Sequence, residues 1–146
     1  MAAALSRRDV FKVRGWAIAA AILFVLIVGW YWTQTGHAAP YYPVLYFISL
    51  GIVIGFRRKL VEYLQSENEG KLSLGIALCN FPSTMAGHML GNLIFISLLR
   101  PEPLFFMSIL PVSAVERIVL TILSTIIATP LLLIVRILFP ELVKKD

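Results

Sequence analysis

An uninterrupted apolar stretch, Gly15–Trp32, does most to restrict the folds open to this sequence. It carries no charged residue, and a helix needs about 17–25 apolar residues to cross a bilayer core about 30 Å thick. Lys12 and Arg14 precede it, and aromatic residues typical of the headgroup layer end it. The chain of 146 residues is 59% hydrophobic and 14% charged, whereas soluble domains carry about 25% charged residues. This balance predicts an all-α integral membrane protein.

Three further apolar stretches predict a bundle of four transmembrane helices in a single membrane domain, 1–146. The third stretch is longer than a bilayer core, and Pro82 is expected to kink or break it, so that a short segment ends at Asn80 and the main helix begins at Pro82. The mixed-charge segment that follows the second stretch predicts an amphipathic surface helix closed by Gly70. A proline-rich segment predicts an interfacial connection before the last span. The predicted spans are 15–32, 41–56, 82–99 and 113–139, and the amphipathic and interfacial segments are 57–71 and 100–112.

Lysine and arginine residues predict the orientation, because cytoplasmic loops carry the excess of cations. With four spans, Arg100 falls on one side, whereas most other cations fall on the opposite side. We therefore expect both termini to be cytoplasmic and the protein to be a multi-pass protein of the cell membrane. The segment Ser6–Lys12 also resembles a twin-arginine export signal, with cleavage after the first span as the alternative. The side with the excess receives Arg7, Arg8, Lys12, Arg14, Arg57, Arg58, Lys59, Lys71, Arg136, Lys144 and Lys145.

Small residues recur every four positions in the third stretch, and residues four apart share one face of a helix. Such a face lets another helix approach closely in a membrane. We predict that Ser83, Gly87 and Gly91 pack against another helix. The full series is Gly75, Cys79, Ser83, Gly87 and Gly91.

Polar residues recur at the same interval beside this series and in the last stretch. They are costly in lipid, so we expect them to face another helix or a cavity. Asn92 lies about 10 Å from the outer end of its predicted helix, and Thr121 about 12 Å from the start of its own. The sequence therefore predicts a shared polar layer in the outer half of the membrane. Its candidate solute-binding residues are His88, Asn92, Glu116, Arg117 and Thr121.

Glu116 and Arg117 are adjacent, and adjacent residues diverge by about 100° around a helix. We therefore expect each of them to need a partner other than its neighbour. His88 has three interpretations: a hydrogen-bonding core residue, a proton relay, or a metal ligand together with His37 and Glu116.

Several function classes are excluded by missing motifs. A single cysteine, Cys79, allows neither an intrachain disulfide nor a cysteine zinc site. The sequence contains no phosphate-binding loop and no zinc-protease or serine-hydrolase motif. The net charge of +5 comes from cations beside apolar spans and does not indicate nucleic acid. We predict a non-enzymatic protein without a cofactor, in which any ATP hydrolysis belongs to another subunit.

The second half of the sequence, with AGHMLGNLIFISLL followed by LPVSAVERIVLTILSTIIATPLLL, resembles the substrate-binding components of energy-coupling factor transporters. The resemblance covers roughly residues 72–139. It implies capture of a vitamin or another micronutrient and partnership with a coupling protein and two ATPases. It also implies that Ala17 and Ala21 dock the coupling protein, and that His88, Asn92, Glu116 and Arg117 contact the solute. Such components typically have six spans, whereas this sequence predicts four.

Two alternatives accompany this interpretation. The small-residue face and the absence of catalytic motifs also fit a structural or assembly subunit of a larger membrane complex, with the lipid bilayer and other membrane subunits as partners. A membrane enzyme that uses His88 and Glu116 is the third possibility.

Overall fold

The computed structural model describes residues 15–139, of which 89% are helical, with no strand in that range. The predicted all-α fold class is therefore confirmed. The six helices of this part of the chain are α1 (Gly15–Trp32), α2 (Gln34–Ala38), α3 (Val44–Gly55), α4 (Arg57–Gln65), α5 (Glu69–Leu99) and α6 (Pro103–Leu138).

Local sequence explains where the longest helices begin and end. Asn68 caps α5 by accepting a hydrogen bond from the Lys71 amide at 3.1 Å, and Glu69 adds a negative charge to the first turn. Arg100 ends the same helix in the left-handed region, with φ of 46°. Pro103 then opens α6, where its missing N–H removes no helical bond.

Prolines do not break the helices at the positions that the sequence pattern predicts. Helix α5 runs through Pro82, so the predicted break there is wrong. Helix α6 contains Pro111 and Pro130, so most of the predicted interfacial segment 100–112 belongs to the last helix. Breaking a helix in an apolar environment leaves backbone N–H and C=O groups without partners, which costs free energy. This cost favours a helix that continues through the proline.

Helix α5 is the central element and packs against α1, α3, α4 and α6. Its buried face joins the main core through Met85, Met89 and Ile96. The remaining buried members of that core lie toward one end of the bundle, which we call the aromatic end. They are Ile27, Trp30, Ala39, Tyr42, Tyr46 and Phe106.

The opposite end carries cations and is called the cationic end. There the guanidinium of Arg136 donates to the carbonyl oxygens of Leu64 and of Ser66, the latter at 2.8 Å. It thereby binds the carboxyl end of α4, where helix carbonyls lack partners. Arg57 lies over the Trp16 ring, 4.9 Å from its centroid. The members of the cationic end in the described chain are Arg57, Arg58, Lys59, Lys71 and Arg136.

Helix α4 has the predicted amphipathic character but is shorter than predicted. It ends at Gln65, and Gly70 lies in the first turn of α5, so the predicted closure at Gly70 is wrong. Leu60 is buried, and α4 crosses α5 closely. A Cβ on Gly75 would lie 2.8 Å from the Tyr63 Cβ, so only glycine permits this approach.

Among residues 15–139, two helices are long and apolar enough to cross a membrane, Gly15–Trp32 and Pro103–Leu138. Both agree with a membrane protein. The cationic flanks before residue 15 and after residue 139, and the segment that resembles an export signal, lie outside the described residues.

Candidate functional site

A layer of hydrogen-bonded side chains joins α5 to the start of α3. The Asn92 amide nitrogen donates to the Tyr42 hydroxyl at 2.8 Å and to the Tyr46 hydroxyl at 3.3 Å. The Tyr46 hydroxyl lies 2.9 Å from Nδ1 of His88. The charge of Arg117 on α6 is near enough to influence both tyrosines and His88, although Arg117 forms no hydrogen bond with them in the described chain. We call these five side chains, Tyr42, Tyr46, His88, Asn92 and Arg117, the polar layer.

Asn92 links the two tyrosines, because its two N–H donors serve one tyrosine oxygen each. The Tyr46 hydroxyl and Nδ1 of His88 share a further hydrogen bond, whose donor depends on the tautomer of His88. His88 is thus connected to Asn92 through Tyr46.

Two aromatic rings, Trp30 and Phe106, pack against Tyr42 of this layer, and we call them the aromatic wall. The Trp30 ring stacks on Tyr42 with centroids 4.7 Å apart, and Phe106 meets Trp30 edge-on at 5.0 Å. Such offset and edge-on pairs add about 0.5–1.5 kcal/mol each beyond area burial. The tyrosine hydroxyls are therefore held by rigid rings as well as by Asn92.

Glu116 and Arg117 pair with each other at 2.6 Å, so the expectation that they need other partners is wrong. The Cα–Cβ vectors diverge, but the long arginine side chain turns its guanidinium back to the neighbouring carboxylate. The Glu116 side chain is 53% exposed, whereas that of Arg117 is 15% exposed. The ion pair thus extends from the layer to the surface of the bundle.

Two buried donors beside Tyr42 have no hydrogen-bond acceptor within the described chain. They are Nε of Arg117 and Nε1 of Trp30. A buried N–H without an acceptor costs about 1–3 kcal/mol. The site therefore has donors to offer to a bound molecule that carries acceptors.

The threonines of α6 hydrogen-bond within their own helix. Thr121 donates to the Arg117 carbonyl at 2.7 Å, and Thr125 donates to the Thr121 carbonyl at 2.7 Å. One turn nearer the cationic end, Asn80 donates to Ser124 at 3.0 Å. The structure therefore places Thr121 next to the polar layer without a side-chain bond to it.

The small residues predicted to pack divide into two groups. Gly75 lies against α4, as described above, and Ser83 and Ala17 are partly buried. Gly87 and Gly91 are exposed, and no other atom lies within 4 Å of where a Cβ would stand. Ala21 is also exposed. The contact predicted for Gly87 and Gly91 is therefore not made within residues 15–139.

The alternative metal site is not formed in the described part of the chain. There, no three histidine, cysteine, aspartate or glutamate side chains converge, and His37 lies on α2, whereas His88 bonds to Tyr46.

Sequence reasoning missed Tyr42 and Tyr46, and a signal for them was present. Tyr42, Tyr46 and Ser49 have the i, i+4, i+7 spacing of one helix face within the predicted span 41–56, and all three are buried, with Tyr42 in the turn before α3. Polar groups on the buried face of an apolar helix are expected to meet polar groups from another helix.

A groove of about 670 Å³ opens at the aromatic end. Arg100 and Glu102 supply opposite charges to its lining, and Ile96 forms part of its wall. Ile96 also belongs to the core that contains Trp30 and Phe106. The groove therefore adjoins the core that includes the aromatic wall.

Comparison with known proteins finds one informative similarity. The uncharacterized protein MJ0923 of Methanocaldococcus jannaschii is 31% identical over 109 residues, which are 75% of this chain and 37% of that protein. The chain thus spans little more than a third of that relative. No protein-family model matches the chain, and no solved structure matches it.

Proposed function

We propose that this protein captures a small solute at the polar layer and works as a transport component with separate coupling and ATPase subunits. The observation that carries the proposal is the pair of buried donors without acceptors beside Tyr42, on Arg117 and Trp30. A solute with carbonyl or carboxylate oxygens would supply the acceptors that the described residues do not provide. The resemblance to substrate-binding components of energy-coupling factor transporters supports the same function.

The groove at the aromatic end supports an entry route. It holds polar and charged side chains, and its wall residue Ile96 belongs to the same core as Trp30, Phe106 and Tyr42. On this route, solute entry would require Phe106 or Trp30 to move. Both rings belong to helices that border the connections at this end.

For the topology we propose four crossings, by α1, α3, α5 and α6, with both termini in the cytoplasm of a multi-pass cell-membrane protein. The contact between Arg136 and the end of α4 supports this arrangement, because it brings residues 64–66 and 136 to the same end. The cations of the described chain other than Arg100 and Arg117 are found at this end, as the positive-inside rule requires. Helix α3 has 12 residues and spans only about 18 Å, so the bilayer must thin beside it.

Solute binding is tested by a thermal-shift screen of the purified protein against vitamins and small organic acids. A ligand at 100 times its dissociation constant stabilises the folded state by about 2.7 kcal/mol. We expect Glu116→Gln and Arg117→Met to abolish this shift, and uptake into cells, while the protein stays folded. Arg58→Met, which changes an exposed cation at the cationic end, is the matched control. Full uptake by both site variants would refute the assignment.

A structural or assembly role is the second candidate, because Gly87 and Gly91 have open space beside them. Under this proposal they face a helix of a partner subunit, and Gly87→Leu with Gly91→Leu disperses the complex. Gly51→Leu is the control, since Gly51 also has open space beside it but lies on α3. A protein that remains monomeric in native membranes would contradict this role.

A further inference from the structure

Helix α6 carries the carboxylate of Glu116 on a face that residues 15–139 leave uncovered. Its most apolar window is only 11% buried, and the neighbours of Glu116 on the exposed face, Val112, Val119 and Leu120, are exposed as well. Glu116 lies thirteen positions after Pro103, which is about 20 Å along the helix. Lipid can cover the valines and the leucine, but a carboxylate in lipid costs several kcal/mol.

We infer that a second copy of this chain covers this face, with Glu116 of each copy paired to Arg117 of the other. An acid followed directly by a base on one helix is self-complementary. A two-fold axis along the membrane normal brings each acid beside the other copy's base. Glu116 has a second carboxylate oxygen, and a guanidinium has five donors, of which one hydrogen bond to Glu116 is formed within the chain. The two copies thus form a ring of four alternating charges.

The contact also completes the polar layer. The Arg117 side chain is 15% exposed and that of its partner Glu116 is 53% exposed, so the ion pair lies where the layer meets the surface. A second copy closes this side against lipid. This inference goes beyond solute capture, and it stands whether or not the layer binds a solute.

Two differently tagged copies with opposite charge patterns test the inference. One copy carries Glu116→Arg and has two adjacent cations, whereas the other carries Arg117→Glu and has two adjacent anions. We expect each variant alone to self-associate at least tenfold more weakly than the wild type, because like charges meet across the axis. Co-expressed, the two variants should co-purify as well as wild-type copies do. Native mass spectrometry from membrane vesicles measures the copy number, and Arg58→Glu is the control for net charge.

Cysteine crosslinking gives a second measurement that leaves the ion pair intact, so it decides the matter even if a charge variant fails to fold. In a Cys79→Ala background, Leu123→Cys places a thiol seven residues after Glu116, on the same face. Ile118→Cys is the matched control, because it is also exposed but lies about 200° around the helix from Glu116. We expect disulfide-linked dimers from Leu123→Cys and much less from Ile118→Cys.

Three outcomes would overturn the inference. A wild-type protein that is monomeric in vesicles would show that lipid alone covers the face. Like-charged variants that self-associate as strongly as the wild type would remove the ion pair from the contact. A crosslink from Leu123→Cys to a different protein would identify a heterologous partner in place of the second copy.

Discussion

The cationic end and the polar layer both hold buried or partly buried polar atoms, but they satisfy them differently. At the cationic end the Arg136 guanidinium donates to two backbone carbonyls. In the polar layer Asn92 and His88 bond to tyrosine hydroxyls, and Arg117 retains a buried N–H without an acceptor. At the cationic end, two carbonyls of a helix end thus gain hydrogen-bond partners. In the polar layer, a buried side-chain donor has no acceptor among the described residues.

This difference separates a structural role from a binding role. Backbone carbonyls at a helix end are present in any sequence, so an arginine that binds them stabilises the fold and has no need of a ligand. A network of side chains that leaves one buried donor without an acceptor lowers the stability of the fold by comparison. We therefore expect changes at the cationic end to affect unfolding, and changes in the polar layer to affect ligand binding more than unfolding.

The largest effect is expected from Gly36→Ala in α2. This variant tests whether the short helix α2, which follows α1, is as rigid as the cationic end. A Cβ at Gly36 would lie 1.9 Å from the Trp30 carbonyl oxygen, so α2 must move away from α1. We expect a loss of about 3 kcal/mol or more in the free energy of unfolding, as for severe overpacking. Unfolding in mixed detergent micelles measures it. Gly51→Ala has open space and should be neutral or slightly stabilising; equal losses from both variants would contradict the argument.

At the cationic end, Arg136→Gln removes the donors to the carbonyls of Leu64 and Ser66. Hydrogen bonds from charged groups contribute about 1.5–3 kcal/mol, and partial exposure reduces this, so we expect a loss of about 2 kcal/mol in unfolding free energy. Amide hydrogen exchange should rise in α4. Arg58→Gln alters an exposed cation of the same helix and serves as the control. Unchanged exchange in α4 after Arg136→Gln would show that packing on α5 alone holds the helix.

The two regions also differ in what the sequence predicted. The uncharged stretch 15–32 coincides with α1, because an absence of charge over that length is a property of the stretch alone. Helix ends near prolines were predicted wrongly at Pro82 and Pro111. A proline lowers helix stability by a fixed local amount. Whether the helix continues past the proline depends on the cost of exposing backbone groups in an apolar environment.

In the polar layer, the sequence predicted His88, Asn92 and Arg117 but missed Tyr42 and Tyr46. Hydrogen bonds between residues 42–50 positions apart cannot be read from periodicity, which reports only faces of single helices. The expectation for Glu116 and Arg117 failed for a different reason. It used the angle between Cα–Cβ vectors and neglected the length of the arginine side chain.

Asn92→Leu tests the layer at its centre, because Asn92 bonds to both tyrosines. We expect a loss of about 1–2 kcal/mol in unfolding free energy and complete loss of the ligand-induced thermal shift. Asn80→Leu is the matched control: it removes one bond, to Ser124, from the same helix, and should lower stability by about 1 kcal/mol while retaining the ligand shift. If both variants lose the shift equally, stability and not the layer controls binding.

The smallest effect is expected from Tyr46→Phe, which removes one hydroxyl and leaves the ring packing in place. Asn92 keeps its bond to Tyr42, and only Nδ1 of His88 loses its partner, so we expect a loss of about 1 kcal/mol or less in unfolding free energy. Tyr31→Phe removes an exposed bond to the Pro40 carbonyl and should cost less. Ligand affinity distinguishes the two variants. Tyr46→Phe frees His88 to rotate and should weaken ligand binding at least tenfold. Tyr31→Phe should leave ligand binding unchanged. Binding that is insensitive to Tyr46→Phe would place the solute away from His88 and make the layer a structural feature like the cationic end.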